Sequence, residues 1–171
     1  MATPDPVAAH PFATHLPVLR ALGRALNARC VLEFGAGLYS TPEFLTLSRF
    51  PALEMLVSIE RDEGWRDRIV ELVGSDPRVV MPRPFPIYHE SLAAYDLILI
   101  DDGQDPEDRV ETIEAVVEAC PPGVVVIHDF ETRQYQQAAD GFEHCVVFDQ
   151  HTPWTAVCWN GERPELEGLS L

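Results

Sequence analysis

The residues whose types and spacing could do chemistry stand at the ends of apolar runs. Glu33-Phe34-Gly35-Ala36-Gly37-Leu38-Tyr39-Ser40-Thr41 forms one group, Glu60 ends LVSIE, Asp101-Asp102-Gly103 follows DLILI, and His128-Asp129 follows VVVI. Gly35 and Gly37 allow a tight turn and a close backbone approach to a ligand. A GxG also opens dinucleotide sites, but Ser40 stands where their third glycine would be and Glu33 precedes the first. A phosphate cradle has no use for a carboxylate there. Such a group suits a cationic ligand bearing ammonium or sulfonium groups. Glu60, roughly 20 residues further on, is placed to accept bonds from both hydroxyls of a ribose.

The later pair of motifs points to a reacting centre. Asp101, Asp102 and Asp129 together could hold a hard divalent cation such as magnesium, which would orient and acidify a hydroxyl substrate. His128 titrates in the useful range and is a candidate general base. Successive strand residues face opposite ways, so only one of His128 and Asp129 is expected to face the crevice. Asp129 is the expected inward group, and His128 reads equally well as a packed histidine. Arg109, among Asp105, Glu107 and Asp108, reads as a surface or helix-capping ion pair. His10, His15, His89, His144 and His151 show no zinc-ligand spacing.

Alternating strands and helices must position these groups. Leu16, Leu19, Leu22 and Leu26 recur at helical spacing over 16–28. Further helices are expected over 42–49 with Thr41 as N-cap, 62–73 capped by Asp62 and ended by Gly74, 106–120, and 131–139. Strands are expected at 31–35, 56–60, 78–81, 96–100, 124–127, 144–148 and 155–159. The Pro-rich stretch 82–90 is a loop whose Phe85, Ile87 or Tyr88 could stack on a base. The strands are near-continuously apolar, which indicates a parallel sheet covered on both faces. The last two, joined by a short loop, must be antiparallel to each other. The expected fold is therefore α/β and doubly wound: a mostly parallel seven-stranded sheet with an antiparallel C-terminal strand and helices on both faces. Residues 1–171 form one domain, with a Pro-rich segment 1–14 that is irregular unless it folds over the site.

Composition narrows the partners. A net charge of −16, with 12 basic residues in no cluster, repels nucleic acid and anionic membranes. No apolar run reaches the roughly 20 residues of a membrane span, and the N-terminus lacks signal-peptide features, so a cytoplasmic location is expected. Cys30, Cys120, Cys145 and Cys158 are scattered, which reads as buried, reduced thiols.

EFGAGLYST, LVSIE, YDLILIDDG and VVVIHD together resemble the successive motifs of class I S-adenosylmethionine-dependent methyltransferases, over about residues 16–160. The resemblance implies a methyl transfer to a small molecule, with oxygen as the leading acceptor atom, as in O-methyltransferase-type members. It implies that Gly35, Ala36, Gly37, Tyr39, Ser40 and Thr41 wrap the methionine end and that Glu60, with Arg61 beside it, holds the ribose. Asp101 or Asp102 would lie near the methionyl group or the substrate, and Asp129, His128 and Asp101 would supply catalysis. Two aspartates precede Gly103 where the family has one, and Phe130 replaces the amide of its acid–amide metal pair. Alternatives are a NAD-dependent oxidoreductase, a non-catalytic partner module on the same fold, and aminopropyl transfer. A homodimer could complete the thinly covered pocket.

Overall fold

The computed structural model describes residues 10–82, 89–103 and 105–166. The elements run α1 (Leu16–Leu26), β1 (Cys30–Phe34), α2 (Ser40–Phe44), β2 (Met55–Ile59), α3 (Glu63–Val73), β3 (Val79–Val80), β4 (Leu97–Ile100), α4 (Pro106–Ala119), β5 (Val124–His128), α5 (Arg133–Ala138), β6 (His144–Phe148) and β7 (Thr155–Trp159). The strands form one seven-stranded sheet in the order β3-β2-β1-β4-β5-β7-β6. β1 to β5 pair in parallel, and β7 runs antiparallel to both β5 and β6. The chain starts in the middle at β1, builds outward to β3, then returns to β4. The carboxyl ends of β1 and β4 therefore flank the switch point where such sheets bind ligands.

Alternation within the strands divides the core in two. Leu97, Leu99, Val124, Val126 and Val157 face α1, whose Leu16, Leu19 and Leu22 are fully buried against them with Phe44 and Phe50. Ile98, Ile100, Val125, Ile127 and Ala156 face the opposite layer, where α4 contributes Ile113 and Val116 and α5 contributes Tyr135. β4 and β5 are buried throughout, as expected for central parallel strands.

Most boundaries match the sequence expectation within a residue or two, and Asp62 caps α3 by accepting a hydrogen bond from the Trp65 amide at 2.7 Å. Two expectations are corrected. α2 is a single turn beginning at Ser40, not a helix over 42–49 capped by Thr41, because the Thr41 hydroxyl is engaged by Glu33. The cysteines are not four buried thiols: Cys145 and Cys158 face each other in the β6–β7 register, with Cα atoms 4.1 Å apart, and form a disulfide. Cys30 is partly buried and Cys120 exposed. Phe85, Ile87 and Tyr88 lie outside the described residues.

Candidate active site

A cavity of about 950 Å³ opens at the carboxyl ends of β1, β2, β4 and β5. This is within the rough 300–1,000 Å³ range of small-molecule pockets. Gly35, Ala36, Gly37, Tyr39, Ser40, Glu60, Arg61, Asp101, Asp102, His128 and Asp129 all border it. Glu33 and Thr41 do not; both are wholly buried.

Glu33 works from behind the loop. It stands opposite Ser58 in the β1–β2 register. Its carboxylate accepts hydrogen bonds from the hydroxyls of Ser58 and Ser40, and from Thr41 Oγ1 at 2.7 Å. Thr41 Oγ1 in turn accepts from the Gly37 amide at 3.0 Å. Glu33 is thus a buried anchor for the glycine turn rather than a group exposed to a ligand. Burial pushes its pKa up to about 7, with the three hydroxyls pulling the other way. Gly35 has φ +85°, and a Cβ there would collide with the carbonyl of Asp101 and lie 2.7 Å from Asp102 Cα. Only glycine fits where the β1 turn crosses the end of β4.

Glu60 leaves β2 at the cavity wall, where one oxygen accepts from the Asp62 amide at 2.8 Å. Partial burial raises its pKa. Arg61 pairs with Asp108 at 3.2 Å across the mouth. Trp65, in the first turn of α3, donates its indole N–H to Ala36 O at 2.7 Å and lines the cavity. No motif marks Trp65 in the sequence, although a first-turn residue after a strand-end acid belongs at this rim.

Beyond the glycine turn lies a charged network centred on Arg109. This side chain is 5% exposed, not a surface ion pair. Its Nε donates to Asp102 O at 2.7 Å and Nη1 to Asp129 Oδ2 at 2.6 Å, while Nη2 lies 3.1 Å from Asp101 Oδ1. The face of Tyr135 covers the guanidinium at 5.2 Å. Signal for this existed in the sequence: Arg109, Thr112, Ile113 and Val116 fall on one helical stripe, and all are buried. Asp102 turns toward α4, where Oδ2 accepts from Thr112 at 2.6 Å. Its Oδ1 is buried without a partner among the described residues. Burial raises the Asp102 pKa, with only partial relief from Thr112.

His128 and Asp129 both reach the cavity, against the expectation from strand alternation. The reason is local: Asp129 leaves β5 with φ +57°, in the left-handed region that aspartate tolerates, so the strand's alternation stops at His128. His128 Nδ1 lies 3.2 Å from Asp101 Oδ1, and Nε2 lies 2.9 Å from Thr14 Oγ1. Burial works to lower the His128 pKa, but Asp101 outweighs it and the net direction is upward. Asp101 is held below the usual carboxylate range: burial opposes this, and His128 and Arg109 prevail.

The three carboxylates expected to hold a magnesium ion do not form one cluster of ligand atoms among the described residues. Arg109 bridges Asp101 and Asp129 with its own positive charge, and Asp102 is drawn off to Thr112. This oxygen set does not fit a hard dication.

Residues 10–14 lie over this end. A 3-10 turn, Pro11–Ala13, leads into α1, and Thr14 donates to Pro153 O at 2.8 Å. Phe12 stands 71% exposed at the cavity mouth. His15 is 1% exposed with its ring against His128, centroids 4.6 Å apart. Burial and the neighbouring His128 push its pKa down to about 4. No motif marks His15, yet it stands immediately before α1, four residues ahead of the buried Leu19.

No family model matches the chain, and no curated protein matches its sequence. Solved structures do. The N-methyltransferase NodS from Bradyrhizobium japonicum is similar at 17% identity and TM-score 0.63, over 91% of this chain and 99% of that one. Human methyltransferase-like protein 13, solved with S-adenosylhomocysteine, is similar at 20% identity and TM-score 0.60, over 91% and 85%. Spermidine synthase from Thermotoga maritima is similar at 15% identity and TM-score 0.62, over 93% of this chain and 62% of that one. With the β3-β2-β1-β4-β5-β7-β6 sheet and the glycine turn after β1, these likenesses establish that the chain has the fold of class I S-adenosylmethionine-dependent methyltransferases.

Proposed function

We propose that the protein is an S-adenosylmethionine-dependent methyltransferase acting on a small molecule, with an oxygen atom as the acceptor. The observation that carries this reading is the charge of the cavity wall. Among the described residues, Glu60, Asp62, Asp101, Asp102, Asp105, Asp108 and Asp129 face it against Arg61 and Arg109. Such a wall attracts an ammonium and a sulfonium and repels the pyrophosphate of NAD, which argues against an oxidoreductase. The buried, unpartnered Asp102 Oδ1 is an acceptor left over for a cationic group. In this reading Glu60 would bind the ribose, and Gly35 to Ser40, with Trp65 behind Ala36, would turn around the methionine end; all of them line the cavity.

When bound, S-adenosylmethionine would supply an electrophilic methyl carbon on a sulfonium sulfur. The acceptor would enter beneath Phe12, between His15, Asp101 and Asp129. In-line attack is governed by positioning. Arg109 fixes the carboxylate of Asp129, the group we assign to orient the acceptor and take its proton. His128, closed in by Asp101 and Thr14, positions Asp101 rather than touching the acceptor.

Calorimetry with S-adenosylhomocysteine and with NAD tests the cofactor. Binding of NAD and not S-adenosylhomocysteine would overturn the reading. A methyl-labelled cofactor against a panel of phenols, amines and carboxylates then tests the reaction, and Asp129→Asn should lower kcat roughly 100-fold or more with S-adenosylhomocysteine affinity kept. Binding without turnover on any acceptor would favour a non-catalytic module.

A further inference from the structure

Beside the proposed cofactor site, donors converge that the methyl-transfer reading does not use as a set. His15, Asp101 and His128 each offer one ligand atom, and these atoms lie within 4.8 Å of one another. His15 comes from the start of α1, Asp101 from the end of β4 and His128 from the end of β5, so three rigid elements hold the group. Neither ring nitrogen of His15 has a partner among the described residues, although the side chain is 1% exposed. An orphaned buried polar group destabilises the fold, and an ion bound at one of these nitrogens would relieve part of that.

The tautomer of His128 points the same way. The Thr14 hydroxyl has one hydrogen, and it donates it to Pro153 O at 2.8 Å. Toward His128 Nε2, 2.9 Å away, Thr14 can only accept, so Nε2 carries a proton. The other nitrogen, Nδ1, faces Asp101 Oδ1 at 3.2 Å. A bare lone pair against a carboxylate oxygen is repulsive, so a cation belongs between them: a proton or a metal ion. A metal-ligating histidine characteristically donates its remaining N–H to an outer acceptor that fixes the ring, as His128 does to Thr14.

We propose that His15, His128 and Asp101 form a binding site for one divalent transition-metal ion of the zinc, cobalt or iron class. Two imidazoles and one carboxylate suit those ions, whereas magnesium asks for an all-oxygen octahedron. Arg109, 3.1 Å from Asp101, sharpens the choice. It diminishes the purely electrostatic attraction on which a hard ion depends more than the imidazole bonds of a borderline ion. The site goes beyond the methyl-transfer reading and does not depend on it.

The test uses the full chain, stripped with a chelator and titrated with Co²⁺, Zn²⁺ or Mg²⁺ alone, without S-adenosylhomocysteine. One equivalent of Co²⁺ should produce visible d–d absorption that Zn²⁺ abolishes and excess Mg²⁺ does not. Ring ¹H–¹⁵N correlations of His15 and His128 should move together with one equivalent of Zn²⁺, a readout that needs no variant. His15→Asn and Thr14→Val should each weaken Co²⁺ binding by roughly tenfold or more, with circular dichroism confirming that both fold. Any of three results overturns the site: no Co²⁺ spectrum, ring signals that stay in place, or an affinity for Mg²⁺ above that for Zn²⁺. The first two would leave a proton as the cation between His128 and Asp101.

Discussion

Replacing Glu33 by Gln tests the anchoring of the glycine turn through the pH dependence of stability. In the folded chain the carboxyl titrates at about 7, against an ordinary value of 4.5. Between these values the folded state holds a proton that the unfolded state has released. Stability must therefore fall as pH rises through this window, and level off above about 7. The linkage relation with these two pKa values gives a loss of about 2.5 kcal/mol between pH 5 and pH 8. For a chain of this size each kcal/mol moves Tm by about 2–4 °C, so the contribution is roughly 5–10 °C. Glu33→Gln cannot ionise and should lack this slope. Thermal unfolding of both proteins at half-unit pH intervals reads the difference between the two curves, which removes contributions common to both. The expected result is that the native chain loses stability relative to the variant from pH 5 to pH 8. Parallel curves would mean that Glu33 stays ionised throughout, held by Ser40, Thr41 and Ser58, and the burial argument would fail.

Two further substitutions follow from the same geometry. Gly35→Ala should cost more than about 2 kcal/mol in urea unfolding, from the positive φ together with the collision at the Asp101 carbonyl, and should abolish S-adenosylhomocysteine binding in calorimetry. Arg109→Gln leaves Asp101 and Asp129 facing each other without their cation and should destabilise by about 3–5 kcal/mol; Arg109→Lys should recover only part, since one ammonium cannot serve both carboxylates and the Asp102 carbonyl. Equal Tm values for the Lys variant and the native chain would show that charge alone suffices.

The sheet was legible because apolar runs such as LILI and VVVI have no solvent-facing residues, and their turns carry glycine and acids. Glu60 and Asp62 were legible because a strand end and an N-cap are local features. Arg109 was not, because three acidic neighbours in sequence, Asp105, Glu107 and Asp108, suggest an exposed helix start, while the helical stripe it shares with Ile113 and Val116 decides its burial. That His128 reaches the cavity together with Asp129 was not legible, because alternation holds only while the backbone stays extended, and one left-handed residue ends it. Glu33 was recognised as part of the site, but not its direction: an interior-facing strand residue paired in register with Ser58 serves the turn from inside. The Cys145–Cys158 pairing depends on the β6–β7 register, which becomes visible only once the hairpin is built.

The contacts of Thr14 have a consequence for the order in which the site is assembled. Its hydroxyl meets residues 114 and 139 positions further along the chain. The glycine turn and Glu60 need the chain only as far as the end of β4, which the turn crosses at Asp101 and Asp102. During synthesis, when segments emerge in order at about 5–20 residues per second, the part of the cavity built on β1, β2 and β4 can form while its far wall is still missing. The contact with Pro153 waits for the loop between β6 and β7. The wall that Pro153 contributes is thus among the last parts of the cavity to form.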